Sequence, residues 1–253
     1  MRSFSLPLLH MSKLTIGCCG FAIGRKNYYR HFSCVEVQQT FYHPPSLETL
    51  ARWRGEAPEW FEFTIKAWQL ITHPPQSPTY RRLRMDIPDE KSDCYGLFRP
   101  SDEILAAWEM MIKVAEALDS RIIVFQSPPS FAPSAENKAY MDQFFQRIER
   151  GEFVLAWEPR GWTAEEASNI CQKLDLIHVV DPFKTSPLRG NMTYYRLHGR
   201  DGYRYRYTDN DLLSLRELVP GGSTAYVMFN NTSMFQDGLR FKQICERGEN
   251  AGA

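Results

Sequence analysis

A closed (β/α)8 barrel in a single domain is the fold this sequence predicts. Three observations carry the prediction: eight short runs rich in β-branched and aromatic residues, helical patterns between most of them, and a length of 253 residues. Strands alternating with helices imply a parallel sheet, and eight such units at this length imply closure. A doubly wound open sheet is the competing architecture.

The runs are residues 13–20 (KLTIGCCG), 34–40 (CVEVQQT), 61–67 (FEFTIKA), 121–127 (RIIVFQS), 153–159 (FVLAWEP), 176–182 (LIHVVDP), 193–199 (TYYRLHG) and 224–230 (TAYVMFN). The first leads into GCCGFAIG, whose three glycines would let backbone amides approach an anion and would equally serve tight turn packing. After the second run, Ser46 opens SLETLARW as a helix. The third is followed by residues 68–100, rich in Pro and Arg, a stretch too long for a plain link and read as a binding or lid insertion. Helical spacing then predicts a helix over 101–118, and SAENKAYMDQFFQRI gives another after Pro133. Thr163 with Glu166, and Thr208 with Asp211, fit the N-terminal pattern in which a hydroxyl and an acid satisfy the first free amides. Residues 1–12 read as a flexible extension, 13–247 as the barrel domain and 248–253 as a tail, with Met11 offering a second start.

Hydrophobic residues make up 43% of the chain, enough for a full core, and the formal net charge is zero. Attraction to an anionic partner must then come from local clustering. The six cysteines show no C-x-x-C pair and no regular spacing, so reduced thiols in a cytoplasmic protein are expected rather than zinc or disulfides. Cys18 or Cys19 would be a nucleophile only beside a base, and none is evident. No signal peptide is recognisable at the N-terminus and no stretch approaches 18 apolar residues, so no membrane partner is expected.

Alternation along the strands turns the barrel into a statement about chemistry, because active sites in this fold lie where inward residues reach the C-terminal strand ends. One register collects Glu36 and Gln38, Thr64 and Lys66, Gln126, Glu158, Asp181, Arg196 and His198, and Asn230. Ion pairs plugging the barrel, such as Lys66 with Glu36 or Arg196 with Glu158, account for part of such a set. Burying all of it without function would be costly. Candidate catalytic residues are therefore Glu36, Lys66, Glu158, Asp181, Arg196 and His198. His178 falls on the outward parity and reads as a core histidine.

The motifs VEVQQTFYHPPSLETLARW, FEFTIKAWQLITH, FQSPPSF, LAWEPRGW, YYRLHGRDGYRYRYTDNDL and YVMFNNT resemble, in order, those of the YecE-like family, also called domain of unknown function 72. The resemblance runs from about Leu14 to about Phe241 and implies a (β/α)8-type barrel with no settled activity. Likeness of such barrels to apurinic-site endonucleases of the endonuclease IV type implies a nucleic-acid hypothesis by fold analogy. A three-zinc cluster of that kind does not fit, since His198 alone of six histidines sits at an inward strand end. No metal or other cofactor is required; a single divalent ion would be held by Glu36, Glu158, Asp181 and His198.

Charge placement points the same way. The loops after the strands, apart from the long insertion, carry Arg25, Lys26, Arg30, Arg160, Lys184, Arg189, Arg200, Arg204 and Arg206 against the single acid Asp201, interleaved with aromatics such as Phe21, Tyr28, Tyr29, Phe41, Trp162, Phe183, Tyr205 and Tyr207. Aromatic faces stack on bases or sugars and guanidinium groups pair with phosphates. Ligand-binding candidates are Gln38, Tyr42, Gln126, Arg160, Arg200, Tyr203, Arg204, Arg206, Asn230 and Asn231. The expectation is an anionic ligand at the mouth, nucleic acid or a phosphate ester, with phosphoester hydrolysis as one reaction. The alternatives are a non-catalytic module for single-stranded or distorted nucleic acid, and a sugar-phosphate isomerase or lyase using Lys66.

Overall fold

The computed structural model describes residues 13–188 and 190–250. The expected N-terminal extension with Met11, Arg189 of the basic loops and the last three residues lie outside them. Eight strands, β1 (Leu14–Cys19), β2 (Cys34–Val37), β3 (Glu62–Lys66), β4 (Ile122–Gln126), β5 (Val154–Glu158), β6 (Ile177–Val180), β7 (Met192–Leu197) and β8 (Thr224–Phe229), pair in parallel with their neighbours, and β8 returns to β1 to close the barrel. The helices are α1 (Arg25–Tyr28), α2 (Gln39–Tyr42), α3 (Leu47–Glu56), α4 (Gln69–Thr72), α5 (Asp102–Leu118), α6 (Ala135–Arg147), α7 (Ala164–Leu174), α8 (Asp209–Leu218) and α9 (Met234–Asn250).

Strand alternation separates two cores. Outward residues such as Val35, Ile65, Phe125, Trp157, Tyr195 and Val227 pack under the helices. Inward residues Cys34, Ile122, Val124, Ala156, Val179, Tyr194, Tyr226 and Met228 fill the barrel. Gly17 faces inward where a Cβ would lie 2.3 Å from the Cys34 carbonyl oxygen, so only glycine lets β1 and β2 approach here. The two expected capping patterns form: Thr163 with Glu166 and Thr208 with Asp211 make full capping boxes, and Ser46, Ser101 and Ser134 also accept a backbone N–H at their helix starts.

One expectation changes. The second run was expected to stay extended to residue 40, but Gln38 already has helical backbone (φ −88°, ψ −23°) and starts α2, whose Thr40 hydroxyl donates to the Val37 and Lys66 carbonyls. Among the described residues, no helix follows β6, and the chain reaches β7 by an irregular link. The long insertion is built rather than loose. It holds α4 and two short 3-10 turns, Pro78–Arg82 and Asp89–Cys94. Its end is tied to α4 by the Gly96 and Phe98 amides donating to Leu70 and Ile71, with Phe98 fully buried among Phe125, Phe131, Phe144 and Phe145.

Candidate active site at the C-terminal mouth

Inside the barrel, polar side chains are stacked in layers along the axis. Near the N-terminal end, the Tyr226 hydroxyl donates to Glu62, which also meets Lys13. Above it, Tyr194 donates to Glu36 Oε2 at 2.8 Å; having spent its one hydrogen, its oxygen accepts from the Thr64 hydroxyl, also at 2.8 Å. At the top lies Arg196, 1% exposed. Its Nη2 donates to Glu36 Oε1 at 2.8 Å, and its Nη1 reaches Glu158 and, at 3.4 Å, Gln126.

Both carboxylates thereby have donors on both of their oxygens. Glu36 also accepts from Gln38, and Glu158 Oε1 accepts from Arg160 Nη2 at 2.9 Å and His198 Nε2 at 2.8 Å. Burial works to raise the Glu158 carboxyl, but Arg196, His198 and Arg160 together hold it well below the usual carboxylate range. His198 Nδ1 lies 3.1 Å from Asn230 Nδ2, and its Nε2, 2.8 Å from Glu158, is also 3.1 Å from Arg160 Nη2. Of the two ion pairs expected in the barrel, Arg196 with Glu158 forms. Lys66 with Glu36 does not, because Arg196 occupies Glu36 first.

Lys66, the last residue of β3, is buried, and its ammonium lies 3.6 Å from the centre of the Phe41 ring. Among the described residues it makes no ion pair with a carboxylate. Burial, followed by the charge of Arg196, lowers its pKa to about 7, against the opposing pull of Glu158 and Glu36. Beside it, burial and the charges of Lys66 and Arg160 bring His73 to about 3, so its imidazole is neutral; it stands edge-on to Phe41.

These groups floor a cavity of about 540 Å³, walled by Gly20, Phe21, Tyr42, Thr79, Arg82, Arg160, His198, Tyr203 and Asn230. Arg82 of the insertion stacks on Tyr42 at 3.6 Å. The lining includes four cationic residues, Lys66, Arg82, Arg160 and Arg196, and no aspartate or glutamate. Arg160 and His198 also border a smaller cavity of about 170 Å³ at the end of β6, with Asp181, His178 and Lys184 on its wall.

The profile of a family described as "Protein of unknown function DUF72" matches residues 24–248. The chain belongs to the DUF72 family. The DUF72 chain is 27% identical over 254 residues to the UPF0759 protein YunF of Bacillus subtilis (strain 168), covering 87% of this chain and 84% of YunF. Among solved structures it resembles the DUF72 family protein EF0366 of Enterococcus faecalis V583, with a TM-score of 0.69 and 19% identity over 94% of this chain and 99% of that one. It also resembles TM1631 of Thermotoga maritima MSB8, with a TM-score of 0.61 and 22% identity over 92% and 99%.

Of the candidate residues, Glu36, Gln38, Tyr42, Lys66, Gln126, Glu158, Arg160, Arg196, Tyr203, His198 and Asn230 of the DUF72 chain come together in or directly beneath the large cavity. Asp181 does not: it sits in the side cavity, raised by burial, with Oδ1 accepting the Phe183 amide and Oδ2 3.8 Å from Lys184. The single-ion set of Glu36, Glu158, Asp181 and His198 therefore fails to assemble. Arg196 fills both glutamates, and among the described residues no three His, Cys, Asp or Glu side chains stand together as metal ligands.

Other rim candidates are consumed by the fold. Arg200 pairs with Asp211 and lies over Phe183. Asn231 is fully buried, donating to the Tyr205 carbonyl and to Asp237. Arg204 and Arg206 are exposed but do not line the cavity. Four of the loop aromatics, Tyr28, Tyr29, Phe41 and Tyr207, are buried in the core, and Tyr203 is the strongly exposed one, at 55%. Cys18 and Cys19 are held as thiols by burial, Cys18 at about 12. His73 and Arg82 were not among the candidates, because the long insertion has no strand alternation from which to read their direction; Phe41 was counted only among the loop aromatics, since α2 was read as the end of the second strand.

Proposed function

We propose that the DUF72 chain binds a phosphate ester in the C-terminal mouth of its barrel, with Lys66 facing the bound molecule. The cavity lining carries the proposal: three guanidinium groups and the Lys66 amine, no carboxylate and a volume in the range of small-ligand sites. Glu36 and Glu158 serve as the counter-charges that hold Arg196 in place. With donors already on both oxygens, they are poorly suited to take up a proton or a metal, which favours binding and Lys66 chemistry over metal-assisted phosphoester hydrolysis. Arg82 and Arg160, flanking the mouth, are suited to phosphate oxygens through charge-assisted hydrogen bonds, each worth about 1.5–3 kcal/mol. Phe21, Tyr42 and Tyr203 offer flat faces to a sugar or base.

The decisive measurement is calorimetric titration with ribose 5-phosphate and with ribose. The phosphate ester is expected to bind at least tenfold more tightly, and Arg82→Ala with Arg160→Ala should erase the difference. Equal affinities would refute the proposal. A single nucleic-acid strand laid across the rim is the second reading, favoured by exposed Tyr203, Arg204 and Arg206; it requires Arg204→Ala with Arg206→Ala to weaken oligonucleotide binding.

A further inference from the structure

We infer that Lys66 is a covalent catalyst, its amine forming an imine with the carbonyl carbon of a phosphorylated aldose or ketose held in the mouth. The inference rests on the phosphate-ester reading above and names the chemistry of the same cavity.

Four features of the site converge. The amine ends the inward face of β3 in a cavity of about 540 Å³, so a carbonyl compound can reach it. It faces the Phe41 ring rather than a carboxylate, so no ion pair must break before the nitrogen lone pair is offered. With a pKa of about 7, much of it is neutral at physiological pH, as a nucleophilic amine requires. The walls also bring Arg82 and Arg160 for a phosphate, and the His198 imidazole for proton movement at the carbonyl oxygen. A small sugar fits better than a polymer, because Arg204 and Arg206 do not line the cavity and Arg200 is committed to Asp211.

The neutral amine attacks the carbonyl carbon; a C–N bond forms as the C=O π pair moves to oxygen, which takes up a proton. Nitrogen loses one proton, and the carbinolamine then expels its hydroxyl as water after a second protonation, leaving a protonated imine. From the neutral amine, the balance is one carbonyl and one proton consumed and one water released, with no change of oxidation state. The iminium takes the place of the ammonium over Phe41, where the ring face stabilises a cation. By drawing electrons from the adjacent carbon, it prepares that carbon for proton abstraction or C–C cleavage, the steps of an isomerase or a lyase.

The test is borohydride trapping of the full-length protein with ribose 5-phosphate, fructose 6-phosphate, dihydroxyacetone phosphate and their unphosphorylated counterparts, followed by intact mass and peptide mapping. The expected result is one reduced adduct mapping to Lys66, at least tenfold faster with a phosphorylated sugar and absent from Lys66→Met and Lys66→Arg. Because mapping locates the adduct on the wild-type protein, the outcome does not depend on the variants folding. Adducts spread over surface lysines, or no adduct despite calorimetric binding of the phosphate ester, would overturn the imine and leave the binding proposal standing. Lys66 labelled equally by phosphorylated and plain sugars would uphold the imine and sink the phosphate reading. Preferential trapping of an oligonucleotide carrying an abasic-site aldehyde would overturn the choice of a small sugar.

Discussion

Arg196 divides its guanidinium between Glu36 and Glu158, so its removal leaves two carboxylates buried without a counter-charge. Losing one partner of such a buried ionic group costs about 3–5 kcal/mol; Arg196→Met should lower the urea midpoint accordingly. Adding Glu36→Gln and Glu158→Gln to it should recover part of the loss. Lys66 has the opposite effect on stability. Its pKa falls from 10.5 to about 7 on folding, so between those values the unfolded chain binds more protons and stability rises with pH. Lys66→Met is therefore expected to be the more stable protein at neutral pH, by a few kcal/mol on the order of the shift. The advantage should stay constant below about 7 and shrink as pH climbs toward 10.5, as read from chemical denaturation at several pH values. The parity of these residues was legible in the sequence because side chains alternate strictly along a strand. Their pairing was not: alternation says that Lys66 and Glu36 share a space but not that Arg196 reaches Glu36 first.

Among the elements, the segment from β7 to α8 decides what the mouth looks like. Gly199, at φ +85°, turns the chain where a Cβ would collide with the Gly202 carbonyl, and the residues beyond fold back over the barrel end. Asp211 pins that fold: it accepts from Thr208, Tyr205 and Arg200, bonds that outweigh burial and hold its carboxyl down to about 2. Asp211→Ala should cost about 1–2 kcal/mol through the lost cap and speed amide hydrogen exchange across 199–208. In the wild type, that contribution is fully present above pH 3.8 and lost as pH falls through about 2. Arg200 and Asn231 have the same composition as ligand-binding loop residues, and only the loop's return path reveals that they hold the protein together. The capping boxes at Thr163 and Thr208 were readable because their partners lie within one helical turn.

For the molecule as a whole, a net charge of zero conceals a separation: cations line the mouth while acids open the helices, as Glu48, Asp102, Glu136, Glu165 and Asp209 do. A phosphorylated ligand should thus bind more weakly as salt rises, whereas the unphosphorylated sugar should be indifferent, a contrast that titrations at low and high ionic strength would record. Barrel closure itself was predictable from counting units, and the strand bounds differ from the expected runs by at most three residues. The contribution of residues 68–100 was not, since a segment without period can pack in many ways.

Beside the link that follows β6 lies a second polar space. In it, Asp181 Oδ2, His178 Nδ1 and Arg160 Nε are buried without a hydrogen-bond partner among the described residues. Its volume of about 170 Å³ is enough for several waters, each of which needs about 10–15 Å³ of such space. Arg160 and His198 line both cavities, so a change at either side chain reaches the mouth and the side space at once.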